Sequence, residues 1–203
     1  MSTTRLGART VVSALVLVLG VTTYANYANG SEATPEGYLP PMAIEGSVFP
    51  VARSDWFSVI NFQNDWHAPR MRWVAGRWVA AGVHEGTDIL AEPGTPVRAM
   101  TPGRIENLGW LFYSGWRVGV RGDDGRYYFY AHMSRFASSL GTGGEVASGD
   151  IIGFVGNTGY GSIGHHDEFT YHLHVGMKEP DGTWSNPFPT LRSIYEATVE
   201  KQS

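Results

Sequence analysis

From Trp116 to His132 the chain reads Trp-Arg-Val-Gly-Val-Arg-Gly-Asp-Asp-Gly-Arg-Tyr-Tyr-Phe-Tyr-Ala-His. Two short runs, 116–120 and 127–132, flank Gly122-Asp123-Asp124-Gly125. β-Branched and aromatic residues around a Gly/Asp cluster predict a hairpin, because such side chains suit a pleated surface while Asp and Gly suit a tight turn. The same rhythm extends outward. Residues 96–100 and 104–108 read as strands around Thr101-Pro102-Gly103, and 151–155 as a short apolar strand. Residues 172–177 alternate and stop before the turn candidate Asp181-Gly182. No stretch of this region sustains a helical period over three turns. Short strands with regular turn signals predict an all-β fold, an antiparallel sheet sandwich or partly open barrel. A minor peripheral helix is expected over 190–200.

Composition sets the bounds. The chain has 203 residues, 42% of them hydrophobic and 13% aromatic, enough for one packed domain. Its net charge is −4 and no Lys/Arg run occurs, which argues against nucleic acid as a partner. Cysteine is absent, so any metal site must be built from histidines and carboxylates. At the N-terminus Arg5 and Arg9 precede the apolar run 11–21, and no acidic residue appears before Glu32. This pattern predicts export through a signal peptide or N-terminal membrane anchor over 1–25. Residues 26–48, with Asn, Gly, Ser and Pro40-Pro41, read as a linker. The folded domain is expected over 49–193, followed by a tail, 194–203.

Four of the seven histidines fall in three short segments: His84-Glu85-Gly86-Thr87-Asp88, Ala131-His132-Met133 and Tyr171-His172-Leu173-His174. On a strand, His172 and His174 face the same way, ~6.5–7 Å apart, while Leu173 enters the core. The spacing of His84 and Asp88 fits one helix face, but Gly86 and the following Ala91-Glu92-Pro93-Gly94 favour a turn into a short strand. Gly86 would then let the backbone bend so that both side chains converge. An Asp oxygen with His nitrogens is a donor mix suited to zinc. Each segment also has a plain structural reading: surface histidines, a turn carboxylate, a satisfied core histidine. Gly159-Tyr160-Gly161-Ser162-Ile163-Gly164 matches a dinucleotide-binding glycine pattern. The segment after it, His165-His166-Asp167-Glu168-Phe169-Thr170, is no amphipathic helix, so a nucleotide is rejected. His165, His166, Asp167 and Glu168 could form an extra metal site but read better as a solvated, polar loop tip, and His67 has no role.

Taken together, the three segments resemble the lysostaphin-type zinc endopeptidases, peptidase family M23. The pattern is His-x-x-x-Asp at 84–88, Tyr-Ala-His-Met at 130–133 and His-x-His at 172–174. Connecting text matches as well: Pro93-Gly94-Thr95-Pro96-Val97, Gly103-Arg104-Ile105, Gly149-Asp150-Ile151-Ile152-Gly153 and Gly156-Asn157-Thr158-Gly159. The likeness covers about residues 80–178 in order. Gly115-Trp116-Arg117-Val118-Gly119-Val120, Gly159-Tyr160-Gly161 and His172-Leu173-His174-Val175-Gly176-Met177 further resemble the sporulation L-alanyl-D-glutamate endopeptidase branch. Two departures stand out. Twelve residues, 160–171, separate Gly159 from His172, and Val175-Gly176 replaces the usual Phe-Glu.

The resemblance implies a fold of the duplicated hybrid motif type, with loops around a metal cleft. It implies His84, Asp88 and His174 as ligands of a Zn2+ ion, with His132 and His172 as catalytic proton-handling residues whose division of labour stays open. The implied activity is hydrolysis of peptide bonds in peptidoglycan stem peptides or cross-links, with the L-Ala–D-Glu bond as the specific expectation, in remodelling of a cell or spore wall. The location would be extracytoplasmic, at the wall or the outer face of the cytoplasmic membrane. Three other readings compete with this one. A catalytically silent, wall- or partner-binding member usually lacks a ligand, and here all five positions are intact. A lipoyl- or biotinyl-type carrier needs a lysine on a hairpin, yet Lys178 and Lys201 lie outside the relevant rhythm. A zinc amidase is disfavoured by motif order.

Overall fold

The computed structural model describes residues 43–44, 46–53 and 61–199, with Glu36. The segment read as a signal or anchor, most of the linker and the last four residues lie outside the described residues. Within the stretch read as linker, β1 (Ala43–Ile44) and β2 (Ser47–Val48) pair with each other, and Val48 N–H donates to Met100 O. No described helix is long and apolar enough to cross a membrane.

The predicted hairpin forms: β9 (Gly115–Gly122) and β10 (Tyr127–Phe136) are antiparallel, with Tyr127 opposite Arg121 and Tyr130 opposite Val118. On the far side of β9 lies β8 (Gly103–Leu111), and beyond it β11 (Glu145–Val146). On the far side of β10 come β13 (His172–Lys178), β6 (Thr87–Leu90) and β3 (Asn61–Phe62). Every named pairing is antiparallel and the sheet stays open. Alternation is strict in its centre. Val118, Val120, Leu173 and Val175 are fully buried on one face, whereas Arg117, Arg121, His172 and His174 line a cleft on the other. Apolar burial on one face fixes register, because a slip of one residue would exchange the faces.

β10 changes partner partway along. Tyr127 to Ala131 pair with β13, the last pair being Ala131 with His174. From Met133 onward the same edge pairs with β12 (Ile151–Val155), which in turn pairs with β7 (Pro96–Arg98). At the switch, Ala131 and His132 together oppose the single residue Arg117 of β9, a β-bulge. His132 takes a left-handed conformation there, φ 61°, which non-glycine residues seldom adopt. Thr158 holds the bulge. Its Oγ1 accepts from Trp116 N–H (3.1 Å) and donates to Met133 O (2.7 Å), and its carbonyl accepts from His132 Nδ1 (2.7 Å). Gly115 makes room for Thr158: a Cβ there would meet the Thr158 backbone at 2.4 Å.

Two further elements frame the cleft. The helix expected over 190–200 is α1 (Phe188–Val199), capped by Asn186 Oδ1 on Phe188 N–H and burying Leu191 and Ile194 in the core. A separate hairpin of β4 (Pro69–Val74) and β5 (Arg77–Val83) forms one wall. Its turn, Ala75-Gly76, has positive φ at both positions. The alternation of this segment was not read from the sequence, because Ala-Gly lacks the Asn or Asp that announces such a turn. Trp73 and Trp78 face each other across it and remain exposed.

The Thr158 hydroxyl joins two strands in a buried position. Thr158→Val should therefore lower stability to urea by roughly 1–3 kcal/mol, and Thr158→Ser should restore most of it.

Candidate metal centre and catalytic cleft

The register of β13 against β6 puts His174 directly opposite Asp88 and His172 opposite Leu90. His84 precedes β6, and its backbone is held by the segment before β4: His67 N–H donates to His84 O (2.8 Å) and His84 N–H to Ala68 O (2.9 Å). His67 thus serves through its backbone, with its ring stacked on Trp66. These placements turn three donor atoms onto one point. His84 Nε2 lies 2.9 Å from His174 Nδ1 and 3.1 Å from Asp88 Oδ1, and His174 Nδ1 is 2.9 Å from the same oxygen. Zinc–nitrogen bonds of about 2.0–2.1 Å place neighbouring tetrahedral ligand atoms roughly 3.3 Å apart, so the triangle fits a zinc-sized cation with little adjustment. Among the described residues this is the His/Asp/Glu group whose donors converge this closely.

The surroundings orient each donor. Arg70 of β4 holds Asp88 Oδ2 at 2.9 Å, leaving Oδ1 to the centre. Asp65 Oδ2 stands 2.9 Å from His84 Nδ1, off the axis of an N–H donor, so the contact is an electrostatic one. A carboxylate behind an imidazole helps to fix the orientation of the ring. Neither Arg70 nor Asp65 was found from sequence, since both lie upstream of every recognised motif. Gly86 works differently from the expectation. It shows no left-handed backbone; instead, a Cβ there would meet His174 Cε1 at 2.4 Å and Val175 O at 2.6 Å. Glycine is needed so that the His174 ring can lie against the 84–88 turn.

His132 and His172 share the cleft without joining the triangle. Their rings are 4.8 Å apart, and His172 Nε2 is 3.7 Å from Asp88 Oδ1. His132 Nδ1 bonds Thr158 O and His172 Nδ1 bonds Thr170 O, each at 2.7 Å. A carbonyl only accepts, so both Nδ1 atoms carry hydrogen, and in each neutral ring the lone pair is at Nε2. The enlarged 160–171 loop closes over them. Asn157 Nδ2 donates to Asp167 Oδ1 (3.0 Å) and Phe169 O (3.3 Å), and the Phe169 ring packs on His132 (4.7 Å) and His172 (5.1 Å). His165, His166, Asp167 and Glu168 interact within this loop or with its base and make no second metal group among the described residues.

Burial dominates the electrostatics. It pushes the His132 imidazole down to about 3, helped by His172 and His174, and pushes His174 down against the pull of Asp88. Burial alone would raise the Asp88 carboxyl. Hydrogen bonds from His174 and His84 outweigh it and hold the group well below the usual carboxylate range. The cleft around these groups has a volume of about 990 Å³ and takes its walls from the β4–β5 hairpin, β8, the Phe169 loop and the floor of the sheet.

This centre matches a known family. Residues 82–187, just over half of the chain, fit Peptidase family M23, and the chain belongs to that family. An L-Ala--D-Glu endopeptidase of Bacillus subtilis (strain 168) is 43% identical over 123 residues, 59% of this chain and 38% of that protein. Lysostaphin of Staphylococcus simulans is 32% identical over 117 residues, 57% of this chain and 22% of that protein. The chain thus spans well under half the length of these curated relatives. Among solved structures, one described as a glycyl-glycine endopeptidase from Ruminococcus gnavus superposes with a TM-score of 0.62 at 36% identity, covering 74% of this chain and 60% of that one. The catalytic domain of lysostaphin from Staphylococcus simulans gives 0.50 at 29%, covering 65% and 92%.

Two outcomes are expected. Gly86→Ala should displace the His174 ring and lower zinc affinity by at least tenfold, read by competition with a chromogenic chelator, whereas Gly141→Ala, whose Cβ would meet nothing, should not. Because the folded-state pKa of His132 is depressed, its contribution to stability is complete above about pH 6.5 and is lost as pH falls toward about 3. Melting of the chelator-treated protein should steepen through that window, and His132→Gln should flatten it.

Proposed function

We propose that the chain is an exported zinc-dependent endopeptidase that hydrolyses peptide bonds in peptidoglycan stem peptides or cross-links, with the L-Ala–D-Glu bond as its target. The observation that carries the reading is the convergence of His84, Asp88 and His174 beside two further histidines with outward Nε2 atoms, all in one cleft. The substrate bond rests on the 43% identity to the Bacillus subtilis protein named for that bond. Export rests on the N-terminal charge and apolar pattern.

His84 Nε2, His174 Nδ1 and Asp88 Oδ1 would hold the metal. When bound there, zinc supplies Lewis acidity, activating water and polarising the scissile carbonyl. The side chains divide the remaining work. His132, kept neutral by burial, accepts a proton at Nε2, the role of a general base. His172 holds its Nδ1–H on Thr170 O; as the imidazolium it carries a second hydrogen on Nε2, gives that proton to the leaving amine nitrogen and is left neutral, while the proton taken from water stays on His132 until products leave. Phe169 covers the edges of both rings and keeps bulk water from competing for those protons. Arg70 keeps the second oxygen of Asp88 occupied, so the carboxylate stays directed at the centre.

Purified peptidoglycan incubated with the protein should release fragments with a new N-terminal D-Glu, identified by mass spectrometry. Chelation should abolish release and zinc should restore it. His84→Ala should lose stoichiometric zinc and at least about 10³-fold in activity, and His132→Gln or His172→Gln should lose roughly 10²–10⁴-fold with zinc retained. Undiminished cleavage by His84→Ala would overturn the assignment.

A further inference from the structure

Arg117 sits on the cleft floor, opposite the Ala131–His132 bulge. Its neighbours Val118 and Val120 point into the core, which turns Arg117 toward the cleft. Its Nε and Nη1 atoms are shut off from solvent, and neither has a hydrogen-bond partner. A guanidinium in that state is costly, since buried cationic donors are normally paired with an acceptor. The other cations around the cleft are accounted for. Arg70 pairs with Asp88, and Arg121 with Glu106 and Gly125 O. Lys178 lies over the Trp184 ring, and Arg72 stands on the exposed β4 hairpin. Among the described residues, no carboxylate pairs with Arg117.

Its place in the sheet says what it would meet. Ala131, part of the bulge facing Arg117, is paired on its other side with His174. Arg117 is therefore two strands from a metal-binding residue, about 10 Å between Cα atoms at ordinary strand spacing. The guanidinium spans part of that gap, so an anion on it lies within about one residue of a bond held at the centre. Gly119, the next cleft-facing position of β9, has no side chain, and the Tyr127 phenol fills the space above it, so the unpaired side of Arg117 is bordered by an aromatic ring and not by a carboxylate.

We infer that Arg117 is the specificity anchor of the cleft, binding a free carboxylate on the substrate residue adjacent to the scissile bond. This rests on the peptidoglycan reading above and deepens it. In a stem peptide whose D-Glu is joined onward through its γ-carboxyl, the α-carboxylate remains free on the residue that follows the L-Ala–D-Glu bond. A planar guanidinium matches it with charge-assisted hydrogen bonds. A substrate with that carboxylate amidated, D-isoglutamine, would leave the shielded Nε and Nη1 of Arg117 without an acceptor and be rejected.

The test uses the zinc-loaded full chain and two muropeptides, disaccharide–L-Ala–γ-D-Glu–diaminopimelate and its D-isoglutamine counterpart. Wild type should prefer the acid by roughly 10- to 100-fold in kcat/KM. Arg117→Gln should bring the ratio near one, acting on the acid substrate alone, with unchanged zinc content and melting temperature. Arg117→Lys should restore part of the preference, which a merely structural arginine would not predict. A wild-type ratio near one overturns the inference even if the variants fail to fold, and so does an Arg117→Gln enzyme that keeps the preference. Neither result touches the bond assignment. If wild type cuts neither muropeptide at L-Ala–D-Glu, it is the bond assignment that fails. Calorimetric binding of acid and amide to wild type then decides the anchor, with equal affinities overturning it.

Discussion

The cleft depends on one departure from regular pairing. Strand β10 cannot stay paired with β13 and also turn to pair with β12, so the edge is handed over between Ala131 and Met133. The extra residue at the handover is His132, left-handed and aimed out of the ladder. Unpaired backbone at such a point must find other partners, and it does: His132 N–H donates to Ser114 O, and the ring donates to Thr158 O. The same divergence leaves β13 free to present His172 and His174 to β6. The convergence of His84, Asp88 and His174, the placement of the His132 and His172 rings and the cleft itself are consequences of one strand changing partners.

The second organising principle is that backbone carbonyls set the chemistry of the rings. Two histidines in the same cleft bond a carbonyl through Nδ1, which assigns their tautomers without a carboxylate partner. The two histidines of the converging triangle are treated in the opposite way, with carboxylates around them: Asp65 behind His84 and Asp88 beside His174. The Asp88 carboxylate lies closest to the converging His84 and His174 nitrogens, at 3.1 and 2.9 Å, and stands further off, at 3.7 Å, from His172 Nε2. Burial then biases His132 toward its neutral form. This division follows from which atoms stand behind each ring, and those atoms come from loops distant in sequence.

Much of this was legible in the chain. The hairpin around Gly122-Asp123-Asp124-Gly125 and the strand carrying His172 and His174 were readable because period-2 alternation and turn residues are local signals. The β4–β5 hairpin was missed, since Ala75-Gly76 is an unadvertised turn and its tryptophans stay exposed, giving no core-facing alternation to detect. Asp65, Arg70 and Thr158 were missed as site residues for another reason: each acts on a group far along the chain, through a contact that no spacing encodes.

By itself the sequence determined the residue types, their order and their local geometry: an all-β chain without thiols, a pair of histidines on one strand face, and a His-x-x-x-Asp segment broken by glycine. Those are matters of composition and short-range periodicity. Tertiary structure alone decided which atoms converge. It closed the gap of ninety positions between His84 and His174 to 2.9 Å, gave Gly86 its purpose as clearance for an imidazole, and left two nitrogens of the half-buried Arg117 shut off from solvent without a hydrogen-bond partner. Such features depend on sheet register and on the change of partner along β10, which arise only when the whole apolar face is buried together.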